Sequence, residues 1–314
     1  MSKPVYITAD STCDLTPALL ERFHVKTIPL HIVLGEENYL DGVDFTQEMI
    51  YERYAKDKVL PRTAAVSPQE FTDFFTPLVE AGYEVVFLSI SSGLSGTYQN
   101  AVIAAQDLPG VYPVDSLQLT TGMGEMVLAA CEMRDEGKDA ASIAQAMQDL
   151  IGRVNVSFVI DTLEYMWKGG RCTGVTAFGA NLLNLKPCIE MRNGKLEVCK
   201  KYRGNIEKVY EKYIAERLKG KKDGPQVHFY HHFQRAHTGA GSTVGERGSQ
   251  SGPRGAGDLF HPDGLYGNLS LRTWHHGGCF SWRPKDSIHT FVTVLLNFCF
   301  SCNDWEDMLY CTCR

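Results

Sequence analysis

No segment of this chain is apolar for long enough to span a bilayer. The longest late run, Phe291 to Phe300, has about ten residues and includes Thr293 and Asn297, well short of the roughly 20 that a membrane helix needs. Nor does a secretory core follow the start, because Met1-Ser-Lys-Pro runs into the short stretch Val5-Tyr-Ile-Thr-Ala, which ends at Asp10. A soluble cytoplasmic protein with no membrane span is expected. Positive charge is not in excess: 31 Lys and Arg against 37 Asp and Glu leave a net charge of −6, which argues against a nucleic-acid partner. Also missing are the phosphate-binding G-x-x-x-x-G-K-[ST] loop, the H-E-x-x-H metal motif, the EF-hand loop and G-x-G-x-x-G. Nucleotide and metal catalysis therefore have no anchor, and no cofactor is expected. What remains is a globular chain of 314 residues, 44% hydrophobic and 22% charged, enough for two compact domains or one large one.

The residues are unevenly distributed. Up to Pro225 there are 24 basic and 30 acidic side chains, and the rest of the chain holds seven of each. Eight of the ten His, five of the ten Cys and three of the four Trp lie at or after His228, yet that stretch has one Lys, Lys285. Eleven Gly fall between Gly239 and Gly278. From Thr238 to Gly257 neither a strand period nor a helix period survives.

Before residue 225 strands and helices alternate. Val5 to Ala9 reads as a strand, with Asp10, Ser11, Thr12 and Asp14 offering N-caps to a helix through about Phe23. Val25 to Leu34 reads as a second strand. Ser67-Pro68 opens a helix to Ala81, cap and N1 proline in their preferred order, and Tyr83 to Ile90 is a buried strand. A helix over Thr97 to Ala105 and a strand over Val111 to Val114 follow, then helices over Gly122 to Glu136 and Ala140 to Arg153. The economical architecture is a parallel sheet with helices on both faces. Asn155 to Ile160 starts another strand, Lys168 to Cys172 reads as a tight turn, and Lys186 to Val198 as a hairpin about Asn193-Gly194, the signature of a second domain.

The chemistry concentrates in Ser91-Ser-Gly-Leu-Ser-Gly-Thr97. A loop from a buried strand into a helix gathers hydroxyls and free N–H groups where the helix dipole favours an anion; the plainer alternative is an ordinary capped turn. Its order does not match the G-x-S-x-G nucleophile elbow. Only His24 and His31 precede it, so Ser95 reads as a hydrogen-bond donor rather than a nucleophile. Arg62-Thr63 could set a second hydroxyl opposite this loop, or be a surface linker. Arg171, after Gly169-Gly170, is the residue type that grips a carboxylate bidentately, or else a solvated turn residue. In the tail, Cys299-x-x-Cys302, Cys311-x-Cys313 and His275-His276 superficially resemble a zinc site.

Asp10-Ser-Thr-Cys-Asp-Leu15, Ser92-Gly-Leu-Ser-Gly-Thr-Tyr-Gln99, Asp115-Ser116 and Phe158-Val-Ile-Asp-Thr-Leu-Glu-Tyr-Met-Trp-Lys-Gly-Gly-Arg171, in this order and spacing, resemble the DegV family over residues 3 to about 222. The resemblance implies a two-domain α/β fold. Residues 3–154 would form an N-terminal three-layer parallel-sheet domain, and 155–225 the start of a second α/β domain with a mixed sheet. It also implies a non-catalytic carrier that holds one long-chain fatty acid and presents its carboxylate to a separate ATP-dependent fatty acid kinase, a role in phospholipid metabolism. Thr63 and Ser95 would bind the carboxylate, with Ser92 and Gly96 of the same loop and Arg171 close by. The acyl chain would enter an apolar tunnel between the domains. One departure is visible: the family usually has Thr-Ser-Gln-Pro-Ser where this chain has Thr63-Ala-Ala-Val-Ser67. Two other classes predict different observations: a serine-dependent acyl hydrolase, and a zinc-binding interaction module in the tail.

Residues 226–314 depart from the family completely, and the genetic code offers a reason. Back-translated and read one nucleotide later, His261 to Gly278 permits T-R-T-A-C-T-V-T-S-H-C-G-P-G-T-M-G, which is very like the family's closing motif. The same frame permits a stop codon across Val292 and Thr293 and an Ile/Thr/Phe-rich strand under Val227 to Phe233. The expectation is a net one-base frameshift near residues 222 to 228. It leaves an out-of-frame tail and a second domain truncated of its final strands and helix. The resemblance places a His from that closing segment at the fatty-acid head group. Here that His would be encoded beneath Ser270 and Leu271 but not made.

Overall fold

The computed structural model describes residues 3–160, 164–173, 185–218, 228–232, 269–272, 291–297 and 310–313. Strand β1 (Val5–Asp10) leads through a 3-10 turn, Ser11–Cys13, into α1 (Pro17–Arg22). There follow β2 (Lys26–Ile28), β3 (His31–Leu34), β4 (Glu37–Leu40), α2 (Gln47–Asp57), β5 (Arg62–Ala64), α3 (Pro68–Glu80), β6 (Glu84–Ser89), α4 (Thr97–Ala105) and β7 (Val111–Asp115). Helices α5 (Thr120–Asp135) and α6 (Ala140–Leu150) connect to β8 (Val154–Val159), α7 (Glu164–Gly169), β9 (Cys172–Thr173), β10 (Leu185–Arg192), β11 (Lys195–Arg203) and α8 (Ile206–Leu218). Beyond these lie β12 (His228–His232), β13 (Leu269–Arg272), β14 (Phe291–Asn297) and β15 (Tyr310–Cys313).

The first sheet, in the order β2-β1-β6-β7, is parallel throughout, as the alternation predicts. β6 is the unbroken apolar run Glu-Val-Val-Phe-Leu-Ser, buried on both faces because its alternate side chains meet different helices. Val85 and Phe87 pack among Phe71 and Phe75 of α3 and Ala101 and Ala104 of α4, whereas Val86 and Leu88 face Met126 and Val127 of α5 and Ile143 and Met147 of α6. Phe87 meets the Phe71 and Phe75 rings edge-on at 5.0 and 5.5 Å, geometry that adds to the area they bury.

The second sheet runs β13-β15-β12-β14-β8-β10-β11-β9 and mixes parallel with antiparallel pairs. Its Val154, Val156, Phe158, Ile189, Met191 and Leu196 belong to the same buried cluster as the first sheet and α5. The order from one side to the other is thus helices, parallel sheet, α5 with α6, mixed sheet, α8. Helix α5 fits between the sheets because two of its residues lack side chains: a Cβ on Gly122 would overlap Val156 Cγ2, and one on Gly124 would lie 2.6 Å from the Cys13 carbonyl oxygen.

Four local expectations need correction. The helix expected to start near Asp10 begins at Pro17, where Thr16 accepts from Leu19 N; the Asp10 carboxylate caps only the 3-10 turn. The strand expected over Val25 to Leu34 is two strands in two sheets. Pro29, with no N–H to give a ladder, stands between them, and β3 joins β4 and β5 in a three-stranded antiparallel sheet. Where a turn was expected from Lys168, helix α7 continues to Gly169 before Gly170 turns the chain at φ 68°. The truncated second domain was expected to lack its final strands; among the described residues, β14 instead pairs in parallel with β8, and β12, β15 and β13 continue outward. The hairpin stands as expected, turning at Asn193 (φ 47°) and Gly194 (φ 75°), the left-handed pair of a type I′ turn.

Candidate functional site

The Ser91–Thr97 loop is held from three directions. From β1, Asp10 reaches across to the end of β6: its Oδ2 accepts from Ile90 N at 2.6 Å and Ser89 Oγ at 3.3 Å, while Oδ1 accepts from Thr12 N at 3.0 Å. This carboxyl is fully buried; burial pushes its pKa up, and the hydrogen bonds from Thr12 and Ile90 oppose the rise. From the end of β7, Asp115 Oδ1 accepts from Ser92 N at 3.1 Å and Leu117 N at 3.0 Å. From the second domain, the hairpin turn closes on the loop, with Ser91 Oγ donating to the Gly194 carbonyl at 2.7 Å and accepting from Gly93 N at 3.2 Å. A Cβ on Gly93 would overlap that same carbonyl oxygen, so glycine is required by the close approach of two backbones.

These contacts sort the loop's hydroxyls. Ser91 is buried and committed to the hairpin, whereas Ser92 and Gly96 are exposed and Ser95 is half-buried. Ser95 Oγ shares a 2.8 Å hydrogen bond with Thr97 Oγ1 and accepts from Thr97 N at 3.3 Å. Gly96 is the N-cap of α4 and brings no side chain, so Ser95 Oγ, from one residue earlier, takes the Thr97 N–H in place of a cap at Gly96. Thr63 lies exposed on β5 opposite Ile32. The segment after it approaches the loop: Ala65 Cβ is 3.9 Å from where a Gly96 Cβ would stand, and Asn100 Nδ2 of α4 donates to Val66 O at 2.7 Å. The structure therefore brings Ala65 and Val66, which follow Thr63 in the chain, to the N-terminus of α4 beside Gly96.

Arg171 Nη1 donates to Gly169 O at 2.8 Å within its own turn, and the following β9 pairs with Leu196 and Glu197 of the hairpin. Sequence reasoning missed Ser91, Gly93, Asp10 and Asp115 as positioning residues, because their partners are far along the chain. For the hydrolase alternative, His31 Nε2 is taken by Glu70 Oε1 at 2.7 Å. For the zinc alternative, Cys299, Cys302, His275 and His276 lie outside the described residues, and among the described residues no three His, Cys, Asp or Glu cluster as metal ligands. No helix among the described residues is long and apolar enough to cross a membrane.

The family model described as "Uncharacterised protein, DegV family" matches residues 4–240. A DegV domain-containing protein of Clostridium acetobutylicum is 33% identical over 203 residues, 64% of this chain and 73% of that protein. A solved DegV family protein from Thermus thermophilus, presented for its fatty acid binding, is 32% identical with a TM-score of 0.65, over 74% of this chain and 82% of the other. A stearic acid-binding protein from Eubacterium ventriosum is 29% identical with a TM-score of 0.62, over 72% and 81%. A family match over residues 4–240, most of the chain, means that this chain belongs to the DegV family.

Proposed function

We propose that this protein is a carrier for one long-chain fatty acid, non-catalytic by itself, whose carboxylate rests on the Thr63 and Ser95 hydroxyls. The observation that carries this is the loop held by Asp10, Asp115 and Gly194, which leaves Ser92, Ser95 and Gly96 open at the start of α4, with Ala65, two residues after Thr63, beside Gly96. A carboxylate there meets hydroxyl donors and a helix N-terminus. Arg171 is the cation assigned nearby, and the acyl chain is assigned to an apolar tunnel between the two domains. Each buried CH₂ contributes about 0.8 kcal/mol, so the chain supplies affinity and the hydroxyls supply orientation. The chemistry on the head group belongs to a separate ATP-dependent fatty acid kinase. Native mass spectrometry with lipid extraction tests the carrier. Ser95→Ala and Thr63→Ala are each expected to lower affinity about tenfold, the loss of one hydrogen bond to a charged group. Unchanged affinity in both, or labelling of Ser95 by a fluorophosphonate, would overturn the assignment.

We infer further that residues 226–314 are translated out of frame. The composition breaks near residue 225, the family match ends at residue 240, and the shifted frame permits the family's Ser-His and Gly-Pro-Gly motif beneath His261 to Gly278. That His would fall beneath Ser270 and Leu271, which lie in β13, so the tail supplies backbone strands without the head-group residue. Fatty-acid affinity is then weak in this chain and recovered when a single base restores the frame. Resequencing the gene is decisive, since an intact frame ends the idea.

A further inference from the structure

Beneath α8, on the sheet face opposite the shared core, two cysteines meet one arginine. In the β10–β11 hairpin Cys188 is opposite Lys200 and Ile189 opposite Val198, so Cys199 is the extra residue of a β-bulge. The bulge turns Cys199 towards Cys188, and its thiol donates to the Cys188 carbonyl at 3.4 Å. Arg217 Nη2 from α8 lies 3.5 Å from Cys188 Sγ and 3.4 Å from Cys199 Sγ. We propose that Cys188 and Cys199 are a redox-active dithiol, oxidised by hydroperoxides to an intramolecular disulfide, in the stem of the hairpin whose turn holds the serine loop.

Neighbouring charges favour a thiolate here. Glu190 Oε1 takes Arg217 Nη1 at 3.2 Å, but its Oε2 is held by Arg192 at 2.9 Å, so Glu190 does not claim Arg217 alone. Lys200 and the Tyr202 hydroxyl both go to Glu216 Oε2, each at 2.6 Å, and the Tyr213 hydroxyl pairs with Ser157 Oγ at 2.7 Å. Burial pushes both phenols up, so they stay neutral. Hydrogen bonding between the two thiols, with Arg217, holds the first ionisation of the coupled pair down to about 7 against burial, and the proton that remains is shared between the two sulfurs. By contrast, burial pushes Cys13 and Cys131 up to about 12.

The reaction balances with one hydroperoxide. The proton shared by the two sulfurs passes to Cys188, and the thiolate at the partly exposed Cys199 attacks a peroxide oxygen. An S–O bond forms and the O–O bond breaks, the leaving oxygen taking a proton. Cys188 sulfur then attacks the sulfenic sulfur; the S–S bond forms, the S–O bond breaks, and water leaves with the second thiol proton. Two thiols and hydrogen peroxide give one disulfide and two waters. Arg217 loses its sulfur partners, and the hairpin stem is covalently closed on the turn that contacts Ser91.

The test treats the full-length protein with hydrogen peroxide at neutral pH, alkylates it in denaturant and maps the peptides by mass. A disulfide joining Cys188 to Cys199, reversed by dithiothreitol, is expected, with Cys13 and Cys131 still alkylated. In Cys188→Ser, dimedone should trap a sulfenic acid on Cys199. Arg217→Gln should slow alkylation of the pair at pH 7 about tenfold, the effect of raising a thiol near 7 by more than one unit, and Arg217→Lys should restore part of the rate. Both thiols alkylated as fully after peroxide as before, a disulfide to another cysteine, or no rate change in Arg217→Gln would overturn the proposal. These readouts do not involve lipid, so they stand or fall apart from the carrier assignment.

Discussion

The two larger sheets of this protein bury their residues on opposite terms. The first is parallel and apolar on both faces, with Phe87 and Leu88 wholly buried. The second has one apolar face on α5 and, under α8, a face carrying Ser157, Cys188, Glu190 and Tyr202, each tied to a residue of the helix. A sheet buried between apolar layers resists local change, because every displaced atom loses contacts. A sheet covered by a polar network can change protonation or redox state without giving up its core. The serine loop lies between them, anchored to the first sheet by Asp10 and to the second by Gly194.

If the first sheet is the rigid partner, removing the Phe87 ring should give the largest effect, a loss of about 3–5 kcal/mol in urea unfolding. A loss below about 1 kcal/mol would erase the distinction between the sheets. The next effect tests the junction. Gly93→Ala sets a methyl against the Gly194 carbonyl and should cost about 1–3 kcal/mol together with most of the fatty-acid affinity. Gly96→Ala, three residues on, meets nothing nearer than 3.9 Å and should leave stability almost unchanged. Equal behaviour of these two variants in thermal melts and lipid binding would show that the hairpin does not position the loop.

A smaller effect probes the polar face alone. Tyr213→Phe leaves the buried Ser157 hydroxyl without its described partner and should cost about 1–2 kcal/mol, with peroxide oxidation of Cys188 and Cys199 unaffected. The smallest expected effect is a pH dependence at α3. Burial pushes Glu70 up, but Ser67 hydrogen bonds and His31 outweigh it and hold the carboxyl below the usual range. A depressed folded pKa contributes stability above the unfolded value, near 4.3, and loses it as pH falls through the folded one. Acid titration of unfolding should therefore show a loss that Glu70→Gln lacks. With 43% of the Glu70 side chain exposed, that loss stays under about 1 kcal/mol.

Legibility followed the distance between partners. β6 and the loop after it were readable because a continuous apolar run followed by serines and glycines is a local pattern, and the Asn193-Gly194 turn was readable for the same reason. The three-stranded sheet was not: β4 is largely exposed and β5 has three exposed residues, so neither alternates. Ser91 read as one more hydroxyl of the anion loop and Asp10 as a helix cap, because their partners are 103 and 80 positions away. The facing of Cys188 and Cys199 depends on one bulge, which shifts a side chain to the other face and leaves no trace in composition.

By itself the sequence determined the alternation that makes the first sheet parallel, the hairpin turn, and a loop rich in hydroxyls at a helix start, because each follows from the preferences of neighbouring residues. Only the tertiary structure decided which hydroxyl is committed and which are open. Ser91 and Ser95 are the same residue type four positions apart, and the difference between them is the Gly194 carbonyl that packing of the second sheet delivers to one and not to the other.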